Sequence, residues 1–232
     1  MLSTLLFALL HTLPAQAFRL EPMVLTVPVS KPQASGTYVV ENNTKQKIAL
    51  EFRIKKRLID EKGQEERPDA SGFLIFPEQM ALEPGEKRNV RVSWAGETLP
   101  AQEEAYRLVA TQLPLDFAPG AAAKGAQLKF LLEYVASLYL LPAGVKPKMK
   151  VVKHQVSKDG SLEILVANEG NAHFLLDRME IAFRSGKKEG KPDPKVLQEL
   201  RTENLLPGNQ RWLRFPLPKG FNDPQVSVVF EP

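Results

Sequence analysis

The side chains best suited to chemistry in this chain are its three histidines, His11, His154 and His173, and its adjacent carboxylates, Glu65-Glu66 and Glu103-Glu104. A metal site needs clustered His and carboxylates at ligand spacing, such as HExxH, and no such run occurs. His154 and His173 stand alone in strand-like surroundings and read as surface or packing residues, while His11 sits in the N-terminal apolar run. Neighbouring residues of a strand point to opposite faces, so neither glutamate pair makes a shared acid/base site. There is no GxSxG elbow for a nucleophilic serine. Gly120-Ala-Ala-Ala-Lys124-Gly125 lacks the ending of a phosphate-binding loop. Cysteine is absent, which removes thiolate nucleophiles and disulfides together. The residues exclude the familiar catalytic and metal-binding arrangements, and a non-enzymatic binding role without cofactor or metal is expected.

One stretch stands out for binding. LKFLLEYVASLYLLP, residues 128–142, has no polar face as a helix, and as a strand it is apolar in part on both sides. Leu128, Phe130, Leu132 and Tyr134 share one side, and Lys129, Leu131, Glu133 and Val135 share the other. Two readings fit: an exposed edge strand that offers an apolar face, or a central strand buried on both faces. Periodicity does not separate them.

The elements that would position this stretch are short and β-like. The chain has 232 residues, 43% hydrophobic and 25% charged, with nineteen prolines against fourteen glycines, which leans toward all-β architecture with many turns. GTYVV at 36–40 ends in the turn signal Glu41-Asn42-Asn43, and IALEFRI at 48–54 alternates apolar and polar. A short run at 73–76 stops at Pro77. The turn Glu83-Pro84-Gly85-Glu86 leads into a strand with Val90, Val92 and Trp94 on one face. AYRLVATQL at 105–113 is another strand, and 114–127 reads as a loop. After Pro142-Ala143-Gly144 and a linker ending at Lys148, the pattern restarts with strands at 162–166, 174–183, 211–215 and 226–230. Residues 184–203 are polar and read as a plain loop.

This spacing predicts two consecutive immunoglobulin-like β-sandwiches: 18–142 and 149–232, joined by a linker at 143–148. Residues 1–17 read as a secretory signal, with Pro14 breaking an apolar run and Ala15-Gln16-Ala17 supplying small residues for cleavage. That run is shorter than the ~20 residues of a spanning helix, so the mature chain is not expected to span a membrane. The net charge of +4 is spread among 27 acidic residues, which fits a solvated surface and no nucleic-acid partner.

Several segments in order resemble the PapD-like periplasmic chaperones of chaperone–usher pilus assembly. They are FLIFPEQMALEPGEKRNVRVSW at 73–94, Leu99-Pro100 followed by Glu103-Glu104-Ala105-Tyr106, QLP at 112–114, and the 128–142 strand. VANEGNAHFLLDRMEI at 166–181 and LLPGNQRW at 205–212 complete the set, which covers nearly all of the mature chain. The resemblance implies a periplasmic chaperone that lends an edge strand to fill the groove of a pilin or fimbrial subunit and hands it to an outer-membrane usher, by β-augmentation. On that reading Leu128, Phe130, Leu132 and Tyr134 enter the subunit, while Leu131 and Val135 face the chaperone's own core. The family's two basic anchors for a subunit carboxylate fall on Met23 and Ser137, neither of them basic. Arg91 and Glu104 (or Glu103) match an internal ion pair, and the arginine usual before the closing proline is Leu141. The competing reading is a secreted two-domain immunoglobulin-like structural or adhesive protein.

Overall fold

Alternating burial along nearly every strand is what builds this protein. The computed structural model describes residues 17–30, 34–115, 132–218, 220–221 and 224–231. The signal-peptide expectation at 1–17 therefore lies outside the described residues apart from Ala17, as do Leu128, Phe130 and Leu131.

The first half contains β1 (Phe18–Glu21), β2 (Val24–Val29), β3 (Ser35–Asn42), β4 (Ile48–Lys56), β5 (Leu58–Ile59), β6 (Glu65–Glu66), β7 (Phe73–Phe76), β8 (Gln79–Leu82), β9 (Lys87–Trp94), β10 (Glu104–Leu113) and β11 (Glu133–Pro142). Two sheets face each other, in the orders β1-β3-β9-β7 and β2-β11-β10-β4-β8, and β5-β6 forms a separate hairpin. In β4, Ile48, Leu50, Phe52 and Ile54 point inward at every second position. They meet Tyr38 and Val40 of β3, Val90 and Val92 of β9, and Leu108 of β10, with Trp94 packed at the margin. This is the aligned sandwich that period-two alternation demands. The chain enters one sheet as β1, turns at Pro22, and continues in the other sheet as β2. Proline suits that crossing because it has no N–H to leave unpaired.

The second half repeats the design with β12 (Met149–Val156), β13 (Ser161–Asn168), β14 (Phe174–Leu175), β15 (Met179–Ser185), β16 (Lys188–Gly190), β17 (Asn204–Leu205), β18 (Gln210–Pro216) and β19 (Gln225–Phe230). Its sheets run β12-β13-β18 and β16-β15-β19, with β14-β17 as a separate pair, and its core gathers Leu162, Ile164, Val166, Phe183, Leu213 and Phe215.

Each half places a buried asparagine at the end of a strand. Asn42 donates to the carbonyls of Gln46 and Leu82 and accepts from Thr44. Asn168 donates to Ala172 and Leu205 carbonyls and accepts from the N–H groups of Lys148 and Gly170. A side-chain amide that matches this many backbone groups fixes its turn where a water would otherwise be needed.

Residues 184–203 are not a plain loop. They hold the end of β15, β16 and a helix, α1 (Pro194–Glu199). Asp193 caps α1 by accepting from the Lys195 N–H at 2.8 Å, and Pro194 stands in its first turn. Asp-Pro is a helix-start signal, and the polar composition around it masked the short element.

Candidate functional site

The candidate site begins at β11. Along one edge this strand pairs antiparallel with β10 from Glu133↔Thr111 to Leu140↔Glu104. Along its other edge it pairs with β2, in parallel, only from Ser137↔Val24 to Pro142↔Val29, after a first bond from the Ser137 N–H to the Met23 carbonyl at 2.8 Å. Among the described residues, 132–136 therefore have no strand partner on the β2 side. β1 has left for the opposite sheet, where it pairs with β3 alone. Among the described residues, two unpaired edges border this corner of the sandwich. An open cavity of about 1010 Å³ runs along β1, lined by Phe18, Leu20, Pro22, Met23, Val39 and Tyr134. Tyr134 stands edge-on to Phe18 with centroids 4.5 Å apart, joining the two sheets where the core is open.

The phase of β11 is set by Ala136, Leu138 and Leu140, all buried in the first core. Leu132 and Tyr134 lie on the same face, half-buried against that core. Val135 and Glu133 share the opposite face. The expectation that Val135 faces the protein's own interior is therefore corrected: even-numbered positions do, because the Leu138 and Leu140 pair fixes the register.

On the outer face, Ser137 lies beneath an arginine of the next strand: Arg107 donates from Nη1 to Ser137 Oγ at 2.5 Å. Arg107 also grips Glu65 of β6 through Nε at 2.9 Å and Nη2 at 2.5 Å. Arg57 and Arg67 bond the same carboxylate at 2.9 and 2.6 Å. Burial of Glu65 pushes its carboxyl up, but hydrogen bonds from Arg107 and Arg67 and the Arg107 charge outweigh this and hold it at about 2. Three guanidinium groups around one carboxylate leave a net positive cluster beside Ser137. Met23 and Val24, 46% and 60% exposed, make an apolar flank. Arg107 escaped the sequence reading because its placement depends on the Arg107↔Ser137 pairing of strands thirty residues apart.

The expected Arg91–Glu104 ion pair does not form. Arg91 projects from β9 and donates to Ser35 Oγ at 3.1 Å, whereas Glu104 on the other sheet accepts from the Tyr106 hydroxyl at 2.5 Å. Glu103, the alternative partner for Arg91, faces the second sandwich. The Glu103 side chain is 1% exposed and lies 2.7 Å from His173 Nδ1, linking the two sandwiches. His173 stacks on Tyr139 at 4.6 Å, and the Tyr139 hydroxyl accepts from Arg57 at 2.9 Å and from Asn204 at 2.5 Å. His173 is thus a packing histidine at the domain junction. Among the described residues, no group of three His, Asp or Glu could hold a metal, and no helix is long and apolar enough to cross a membrane.

A first strand that switches sheets, a β11 paired with β2 over only part of its length and a second sandwich that follows in the chain define a tandem immunoglobulin-like pair. The family model described as the pili and flagellar-assembly chaperone, PapD N-terminal domain, matches residues 19–146, and the chain belongs to this family. Among solved structures it is similar to the class 5 fimbriae chaperone CfaA, at 14% identity and a TM-score of 0.60, covering 91% of this chain and 98% of that one. A chain of the CsuC–CsuE chaperone–tip adhesion subunit pre-assembly complex of Acinetobacter baumannii matches with 14% identity and a TM-score of 0.60, over 91% and 97%. A chain of the Salmonella enterica SafA pilin–SafB chaperone complex follows at 17% and 0.58, over 86% and 84%. A comparison with curated protein sequences finds no match.

Proposed function

We propose that this protein is a periplasmic, non-enzymatic chaperone that caps fimbrial subunits with the edge of β11 and delivers them to an outer-membrane usher. The observation that carries this reading is the free edge at 132–136 beside an open core corner. An unprotected apolar edge is an aggregation hazard unless a partner covers it. Leu128, Phe130, Leu132 and Tyr134 are the residues assigned to the subunit groove. Leu132 and Tyr134 already lean on the chaperone's own core, so a subunit docking there joins its interior to this one rather than meeting a separate face. Burying a large apolar side chain is worth roughly 1.5–3 kcal/mol, so a few such residues stabilise an unfinished sandwich by several kcal/mol. Met23 and Ser137 supply no charge for a subunit carboxylate, and Arg107, bonded to Ser137 Oγ, is the cation nearest to that position in the β11 ladder.

The test is co-expression with a fimbrial subunit that lacks its final strand. The wild-type chain is expected to recover the subunit from the periplasm. The double variant Leu128→Asp, Phe130→Asp is expected to stay folded by circular dichroism and recover none. Unfolding of the double variant would assign these positions to the protein's own core and end the proposal. Finding the mature protein on the cell surface would point instead to an adhesive role.

A further inference from the structure

The β5-β6 hairpin carries contacts that no strand of a single sandwich requires. Its tip is internally rigid: Asp60 Oδ1 accepts from the N–H groups of Lys62 and Gln64 at 2.9 and 2.8 Å, and Gly63 N–H bonds the Asp60 carbonyl at 3.0 Å. This preformed tip reaches into the second sandwich. The Glu61 carbonyl accepts from the Trp212 N–H at 2.9 Å, covering part of β18, the edge strand of its sheet. Asn209 Nδ2 donates to the Ile59 carbonyl at 2.8 Å, and Arg57 Nη1 donates to Asn204 Oδ1 at 2.8 Å. Ile59 packs with Leu206, Ala105 and Tyr139 in a small apolar cluster drawn from both halves. Gly63 has φ +84°, and a Cβ built there would fall 1.2 Å from Arg211 Nη1, which Glu203 holds through Nη2 at 2.6 Å.

We propose that this hairpin is an interdomain strap that locks the two sandwiches at one angle and ties that angle to the binding strand. The tie is continuous. Trp212, Asn209 and Asn204 hold the hairpin and its base from the second half, and Glu65 within it holds Arg107, which bonds Ser137 of β11. Backbone-to-backbone and amide contacts resist rotation better than the exposed linker at 143–148 does alone, because each is directional and short. The strap acts in the free protein and does not depend on a subunit being bound.

The absence of cysteine makes the test direct. Spin labels at Glu97→Cys and Lys158→Cys, both exposed and one in each half, report the interdomain distance by pulsed dipolar spectroscopy. The parent is expected to give one narrow distribution and one calorimetric transition. Asn209→Leu and Gly63→Val, each made separately, are expected to broaden the distribution at least about two-fold and to split the transition in two. An unchanged width in folded Asn209→Leu and Gly63→Val proteins overturns the strap. Should Gly63→Val fail to fold, Asn209→Leu decides alone, since Asn209 belongs to neither core.

Discussion

Glu65 is the residue whose ionisation the fold constrains most clearly. Its folded carboxyl titrates at about 2 against an ordinary 4.5. A depressed carboxylate adds stability that is fully present above the ordinary value and lost as pH falls through the folded one. The window here runs from about pH 4.5 down to about 2, and the full shift corresponds to about 3 kcal/mol. That figure is an upper bound, because a carboxylate only partly enclosed by protein loses some of it to solvent screening. Glu65→Gln is therefore expected to be less stable than wild type at pH 7 by an amount that shrinks steadily toward pH 2, as urea unfolding at several pH values would record. Parallel curves would show that the three arginines do not act through this carboxylate. Other carboxylates, Glu51, Asp69 and Glu169 among them, are also held down by cationic neighbours, so only the difference between the two proteins isolates Glu65. Glu65-Glu66 reads in the sequence as adjacent carboxylates on opposite faces of a strand. Opposite faces is a local property and was readable. That one face would meet Arg57, Arg67 and Arg107 was not, since only Arg67 is close in sequence.

At the scale of elements, β11 is decided by what lies beside it. Its hydrophobic run announced a strand, but two apolar faces in sequence are compatible with an edge or a centre. The structure divides the strand instead: 137–140 lie between β10 and β2, while the part described before them has one open side. The cause is the switch of the first strand at Pro22, which takes β1 to the other sheet. At that opening, Phe18 and Tyr134 are the contact that spans the two sheets. A double-mutant cycle with Phe18→Leu and Tyr134→Leu is expected to show a coupling of about 1 kcal/mol in the free protein. A coupling near zero in thermal or urea unfolding would mean that the corner is not closed by this pair.

For the molecule as a whole, the two sandwiches meet through buried polar groups as well as apolar ones. Arg57, its side chain 8% exposed, spends its donors on Glu65, Asn204 and the Tyr139 hydroxyl. Tyr139→Phe is expected to cost about 2 kcal/mol, since it strips a partner from a buried guanidinium and from the Asn204 amide. The loss should fall on the junction, so hydrogen exchange is expected to rise around Asn204 and Leu206 and stay unchanged at Leu50 and Ile164. A uniform rise across both cores would show that the junction is not a separate unit of stability.

Composition and alternation by themselves determined an all-β chain, the turn at Asn42 and the shared face of Val90, Val92 and Trp94. These are readable because side-chain alternation and turn propensity act over a few residues. The helix after Asp193 carried a local signal too, in Asp-Pro. Only the tertiary structure decided which face of β11 lines the core, that Arg91 and Glu104 stand on different sheets, that Glu103 meets His173, and that Arg107 reaches Ser137. Each depends on strand order and register, which bring together residues tens of positions apart, and no local pattern encodes which of many compatible pairings closes the sandwich.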